Sequence, residues 1–184
     1  MNIDMLEQYK RGIAEIALAI DSKAVSEALE ALAQACRNGN RIFAIGNGGS
    51  AATAMHFATD LSKNATLGAQ RFKALSLCDS SSALTAYGND VGYHYVFTGQ
   101  LRNLLEPGDV VVAISASGNS PNIIDAAEYA KRHGAALVAL TGFSGGKLRE
   151  LADISVHIPC DSYEMAEDAH SIICHMMVYS FKIG

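Results

Sequence analysis

Two histidines and a set of carboxylates stand at spacings that can move protons or hold a metal. His56 and Asp60 are four residues apart in a stretch of helical pattern, so both fall on one helix face. The last helical stretch carries Glu164, Glu167, Asp168, His170 and His175. Asp168 nearly eclipses His175 on a helix, whereas Glu167 lies ~80° away at ~100° per residue, which leaves both carboxylates as candidate partners. An imidazole beside a carboxylate can serve general acid–base chemistry. The same atoms form a ligand set for a divalent metal. His94, His133 and His157 have no such setting and are read as structural or exposed, while Cys78 and Asp79 read as loop-shaping residues.

Two loops carry a second kind of chemistry. Gly46-Asn47-Gly48-Gly49-Ser50 follows an apolar run and precedes a helical stretch. Glycines there allow close backbone approach, and a helix start offers unpaired N–H groups with partial positive charge. Ser115-Ala116-Ser117-Gly118-Asn119-Ser120 also follows an apolar run, with Pro121 at a favoured first helical position. One serine before a helix is an ordinary cap. Ser115, Ser117 and Ser120 together can surround a phosphate with hydroxyl and backbone donors and no cation. Neither loop is GxGxxG or a P-loop, and no acidic residue about 20 positions on stands at a strand end to hold a ribose, so a nucleotide-cofactor enzyme is excluded.

The elements that must position these groups follow from hydrophobic patterning. Met5, Tyr9, Ile13, Ile16 and Ile20 recur at helical spacing, Asp21–Ser22 breaks and caps, and Val25, Leu29, Leu32 and Cys36 mark a second helix ending near Asn38–Gly39. Five apolar runs then read as strands: Arg41–Ile45, Lys73–Leu77, Asp109–Ile114, Ala136–Leu140 and Asp153–Ile158. Their continuous apolar character suits a parallel sheet covered on both faces. Helices are predicted at about 50–63, 80–88, 92–105, 121–133, 145–151 and 162–182. Strand alternating with helix gives a three-layer α/β domain over 1–184, with a helical pair at 1–39 and the α/β core at 40–184. The leading pair has no sheet of its own to cover, and packs either on another subunit or on the same domain.

At 184 residues the chain is one domain long, and its net charge of −5 without a basic stripe argues against a nucleic-acid surface. No apolar run reaches the ~20 residues of a membrane span, and the start has no secretory pattern. Cys36, Cys78, Cys160 and Cys174 show no disulfide or zinc-finger spacing, so a reducing, cytoplasmic setting is expected.

GNGGSAATAMHFATDL, the later GND, SASGNSPNII, LTGFSGGKL and a His-bearing last helix together resemble the sugar isomerase (SIS) domain family, in its phosphoheptose isomerase branch. The resemblance spans almost the whole chain. It implies a five-stranded flavodoxin-like sheet, a homotetramer with sites between subunits, and interconversion of sedoheptulose 7-phosphate and D-glycero-D-manno-heptose 7-phosphate through an enediol. By that similarity Asn47, Gly48, Gly49, Ser50, Asn89, Asp90, Ser115, Ala116, Ser117 and Ser120 contact the sugar or its phosphate, Ala116 standing where the family often has threonine. Four positions correspond to zinc ligands: His56, Asp60, Glu167 and His175. His56 and Glu167 also count as substrate contacts, and Asp60 and His175 as base and acid. Asp60 replaces a glutamate of the family and Glu167 a glutamine, and both keep an oxygen ligand. His170 matches a further family histidine. Because the family includes non-catalytic binders, the implied alternative is a sugar-phosphate-binding or protein-docking module.

Overall fold

A computed structural model describes residues 3–182. Two helices lead, α1 (Ile3–Ala19) and α2 (Ser22–Asn38). The Asp21 carboxylate starts α2 by accepting the N–H groups of Lys23 and Ala24, and Gly39, left-handed at φ 73°, ends it. Then come β1 (Arg41–Gly46), α3 (Gly48–Asn64), a small antiparallel hairpin of β2 (Thr66–Leu67) and β3 (Gln70–Arg71), and β4 (Lys73–Ser76). α4 (Ser81–Asp90), a 3-10 turn (Tyr93–Tyr95) and α5 (Val96–Leu104) lead to β5 (Val110–Ser115). The chain closes with α6 (Pro121–Arg132), β6 (Ala136–Thr141), α7 (Gly146–Leu151), β7 (Ile154–His157) and α8 (Tyr163–Lys182).

The five longer strands form one parallel sheet in the order β4-β1-β5-β6-β7, the flavodoxin-like arrangement that was expected. The hairpin is the one sheet feature the apolar runs did not announce, since two residues a side are too few to alternate. β5 lies at the centre with every residue buried. Its valines and isoleucine each contribute about 1.5–3 kcal/mol by leaving water. Strand order reverses between β1 and β5, so α3 and α6 leave the sheet toward opposite faces by right-handed crossovers. α3 packs on α8, and α6 packs on α5. No described helix is long and apolar enough to cross a membrane.

The leading helices differ in their cover. α2 buries Val25, Ala28, Leu32 and Cys36 against the sheet and α8. α1 lies on α8 with none of its residues fully buried, and Leu18 is 90% exposed. Of the apolar face read from its sequence, only Ile20, just past the helix, is buried.

His170 on α8 is fully buried, and among the described residues neither ring nitrogen has a partner at good hydrogen-bond geometry, the Thr141 backbone being the nearby polar group. Burial disfavours the imidazolium and, against an opposing pull from the Thr141 backbone and with a smaller push from His157, holds the ring's pKa down to about 4. The unfolded chain therefore binds a proton at His170 before the folded one does. Stability from this group is complete above pH 6.5 and is lost as pH falls toward 4, by up to about 3 kcal/mol. Urea denaturation across this range is expected to show a shallower acid loss in His170→Leu than in the wild type. An identical pH dependence in the two proteins would contradict a neutral buried ring.

Candidate active site

Parallel pairing of β1 with β5 sets Gly46 opposite Ile114, so the glycine loop and the serine loop leave the sheet side by side. Between them lies a cavity of about 140 Å³, lined by Asn47, Ser50, Ser115, Ala116, Ser117 and Ser120. Ile114 forms its floor, and Tyr163 and Glu167 of α8 close one side. Asn47 precedes α3 and Ser120 precedes α6, yet neither side chain caps its helix. The start of α3 thus keeps its first N–H groups unspent by the Asn47 side chain, and α6, which opens on Pro121 and gives its Ile123 N–H to Asn122 Oδ1, keeps the Asn122 N–H, a setting that favours an anion. Ser115 Oγ accepts the Gly118 N–H at 3.2 Å, and Ser117 Oγ accepts the Asn119 N–H at 3.3 Å. Each hydroxyl proton remains available to donate.

The serine loop is buttressed by the loop after β6. Gly118 is left-handed at φ 65°, and a Cβ there would overlap the Gly145 carbonyl. Leu148 N–H donates to the Gly118 carbonyl at 2.9 Å, and Lys147 N–H to Asn119 Oδ1 at 3.0 Å. The LTGFSGGKL segment therefore holds the phosphate-type loop in shape. Phe143 in the same segment, itself at φ 47°, packs its ring 4.7 Å from Tyr163 at the cavity wall.

The second cluster lies further along the seam between α3 and α8. His56, Asp60 and His175 bring their ligand atoms within 4.8 Å of one another. Asp60 Oδ2 is 3.4 Å from His56 Nε2, and Oδ1 accepts Asn64 Nδ2 at 2.8 Å. The two imidazoles meet edge to face at 5.0 Å. Two nitrogen donors and one oxygen donor match a zinc site that leaves a position for substrate. His56 is 57% exposed and Asp60 21%, so a ligand can reach both.

The sequence reading grouped Glu167 with these three. Among the described residues it is not in that cluster. Glu167 lies instead in the serine-lined cavity, with its carboxylate over Gly49, where a Cβ would overlap it. Asp168, its rival by helical angle, turns outward and accepts the Tyr9 hydroxyl of α1 at 2.8 Å. That bond to a carboxylate, followed by burial, pushes the Tyr9 pKa up to about 12. Asn89 and Asp90 end α4 exposed, with Asn89 Nδ2 donating to Asp90 Oδ1 at 2.8 Å, and neither lines the cavity. His133 stacks on Tyr129 and His157 Nδ1 meets Thr141 Oγ1 at 3.0 Å, in keeping with structural roles. Cys78 Sγ donates to the Gly46 carbonyl at 3.4 Å, and burial raises its thiol pKa.

Sequence reasoning missed Asn122, Tyr93 and Tyr163. Tyr163 lines the cavity, while Asn122 and Tyr93 hydrogen-bond to Asn47. Asn122 stood in the sequence only as part of SASGNSPNII, and the two tyrosines belonged to no motif. Nothing in their spacing pointed inward.

Close packing of Gly49 on Glu167 gives a stability test. Gly49→Ala is expected to cost about 1–3 kcal/mol in urea denaturation, because Gly49 has an ordinary φ and only the overlap opposes a methyl. In a Glu167→Ala background most of that cost is expected to vanish. Equal costs in both backgrounds would show that the carboxylate does not sit over Gly49.

The SIS domain model matches residues 8–142. The chain is 40% identical to a phosphoheptose isomerase of Akkermansia muciniphila, over 90% of this chain and 89% of that protein. It is 39% identical to one of Helicobacter hepaticus, over 84% and 79%. Among solved structures, a phosphoheptose isomerase from Neisseria gonorrhoeae superposes with a TM-score of 0.89 at 34% identity, over 99% of this chain and 97% of that one. The chain belongs to the SIS domain family.

Proposed function

We propose that the protein is a phosphoheptose isomerase, interconverting sedoheptulose 7-phosphate and D-glycero-D-manno-heptose 7-phosphate. The observation that carries this reading is the distance between the two clusters. Ser50 stands at the anion cavity, and His56 and Asp60 follow it by six and ten residues on α3. At ~1.5 Å rise per residue their Cα atoms lie about 9 and 15 Å along the helix, and the Asp60 side chain reaches back to place Oδ2 3.4 Å from His56 Nε2. In a seven-carbon ketose phosphate, seven bonds separate the carbonyl carbon from phosphorus, about 8–9 Å when extended at ~1.2 Å per bond. A triose phosphate, with three such bonds, falls short. Family membership and the names of the relatives support the same substrate.

In this reading the phosphate lies between the starts of α3 and α6, taking hydrogen bonds from backbone N–H groups and from Ser115, Ser117 and Ser120. Gly48 and Gly49 let it approach the backbone, and Ala116 contributes peptide rather than side chain. Carbons 1 and 2 then reach His56, Asp60 and His175. Asp60 removes a proton from carbon 1, and the C–H electron pair becomes the C1=C2 bond of the enediol. His175 protonates the carbonyl oxygen as its π electrons shift onto it. His175, left neutral, then takes the proton of the carbon-1 hydroxyl as that oxygen forms the aldehyde C=O, and the C1=C2 electrons take the proton back from Asp60 at carbon 2. Zinc, when bound by His56, Asp60 and His175, would supply Lewis-acid polarisation of the ketose oxygen. Glu167 extends from the cavity side toward sugar hydroxyls, and remains a fourth ligand only if its carboxylate swings along the seam.

The assembly is a homotetramer with sites between subunits. The support for this is the incompletely covered α1, and a cavity of about 140 Å³, smaller than the several hundred cubic ångströms a ligand of this size fills. Asn89 and Asp90, exposed and outside the cavity, then contact substrate across such an interface. The four free cysteines fit a reducing cytoplasm.

An NMR assay of the purified protein with sedoheptulose 7-phosphate, with and without added zinc, tests this. Aldose signals are expected, and Asp60→Ala and His175→Ala are each expected to lower turnover at least 100-fold with the fold retained. Binding without turnover in the zinc-loaded wild type would replace the isomerase by a sugar-phosphate-binding module.

A further inference from the structure

Asn47 is held by three hydrogen bonds within the protein. Its Nδ2 donates to Asn122 Oδ1 at 2.9 Å, and its Oδ1 accepts from Asn122 Nδ2 at 2.8 Å and from the Tyr93 hydroxyl at 3.0 Å. One backbone group fixes the orientation of both amides. The Ile123 N–H is shared between the Ser120 carbonyl at 3.0 Å and Asn122 Oδ1 at 3.1 Å, and because an amide NH2 there would face this donor, the oxygen takes that place and the other end donates to Asn47. Both lone pairs of the Asn47 oxygen are then in use, along with one of its two amide protons. Asn47 has one N–H left for a ligand and nothing with which to accept. Asn122 is only 2% exposed while Asn47 is half-buried, so the Asn122 side of the pair is shielded from competing water.

The three bonds join three separate segments. Asn47 belongs to the glycine loop, Asn122 to the first turn of α6 behind the serine loop, and Tyr93 to the 3-10 turn after α4. The same contact explains why Asn47 does not cap α3: its amide is turned across the cavity mouth toward α6.

We infer that Asn122 is a positioning residue for phosphate-ligand binding. Its amide locks the glycine loop to the start of α6 and restricts Asn47 to a single hydrogen bond, donated to a ligand oxygen. This rests on the cavity being the sugar-phosphate site. Without Asn122, the Asn47 amide turns freely and can present its oxygen to the phosphate, and the two helix starts lose their fixed spacing.

Calorimetric titration with inorganic phosphate and with sedoheptulose 7-phosphate separates the possibilities. If the wild type binds neither, the sugar-phosphate reading itself fails. Given wild-type binding, Asn122→Ala is expected to raise Kd at least tenfold, and KM by a similar factor, with kcat changed less than threefold. Asn47→Ala is expected to match it, and the double variant to be no worse than about either single one, because the two amides act as one unit. Tyr93→Phe, on an exposed turn, is expected to raise Kd about threefold. If Asn122→Ala fails to fold, Asn122→Leu, closer to the native side chain in size, provides the same comparison. Wild-type affinity in the Asn122 variants, additive losses in the double variant, or a fall in kcat at unchanged KM would each overturn the proposal.

Discussion

The parallel pairing of β1 with β5 is the constraint on which the site depends. It is the point where strand order reverses, and it sets Gly46 against Ile114 at the ends of two adjacent strands. The chain leaves these neighbouring strands toward opposite faces, so two helices begin close together with a gap between their starts. Neither helix is capped by the side chain that precedes it. The gap is lined by oriented peptide groups and serine hydroxyls, and no lysine or arginine is among its lining residues, which suits a chain of net charge −5.

The second determinant is the seam between α3 and α8. Gly49 meets Glu167 at one end and His56 meets His175 further along, so the two helices run in the same direction and carry their polar groups in register. A glycine at the first level admits a carboxylate, and imidazoles with an aspartate occupy the later one. One helix thus supplies both the anion-facing N-terminus and, two turns on, the groups suited to proton transfer. Its fixed rise sets the distance between them, which a flexible loop would not hold. β5, buried along its whole length, provides the rigid support.

The strands and the order of elements were legible because continuous apolar runs have few alternatives in a chain of this length. The two loops were legible because three glycines, or three serines, exceed what a turn needs. His56 with Asp60 was legible from spacing of four on a helix. The partner of His175 was not: helical angle favoured Asp168 and family resemblance favoured Glu167, but packing gives Asp168 to Tyr9 and Glu167 to the cavity, and leaves His175 with His56 and Asp60. Glu167 faces the cavity rather than the metal-type cluster because Gly49 leaves room for it, a relation between residues more than a hundred positions apart. The Asn47–Asn122 pair was invisible for the same reason. The two amides stand 75 positions apart in separate motifs, and their reciprocal bonding exists only once β1 and β5 are adjacent.

The most direct measurement is a crystal structure of the protein with sedoheptulose 7-phosphate bound. Phosphorus is expected between Ser115, Ser117, Ser120 and the glycine loop, with carbons 1 and 2 at His56, Asp60 and His175. Phosphate seated instead at the histidines, or a sugar chain leading away from the α3–α8 seam, would contradict the assignment of the two clusters to the two ends of one substrate.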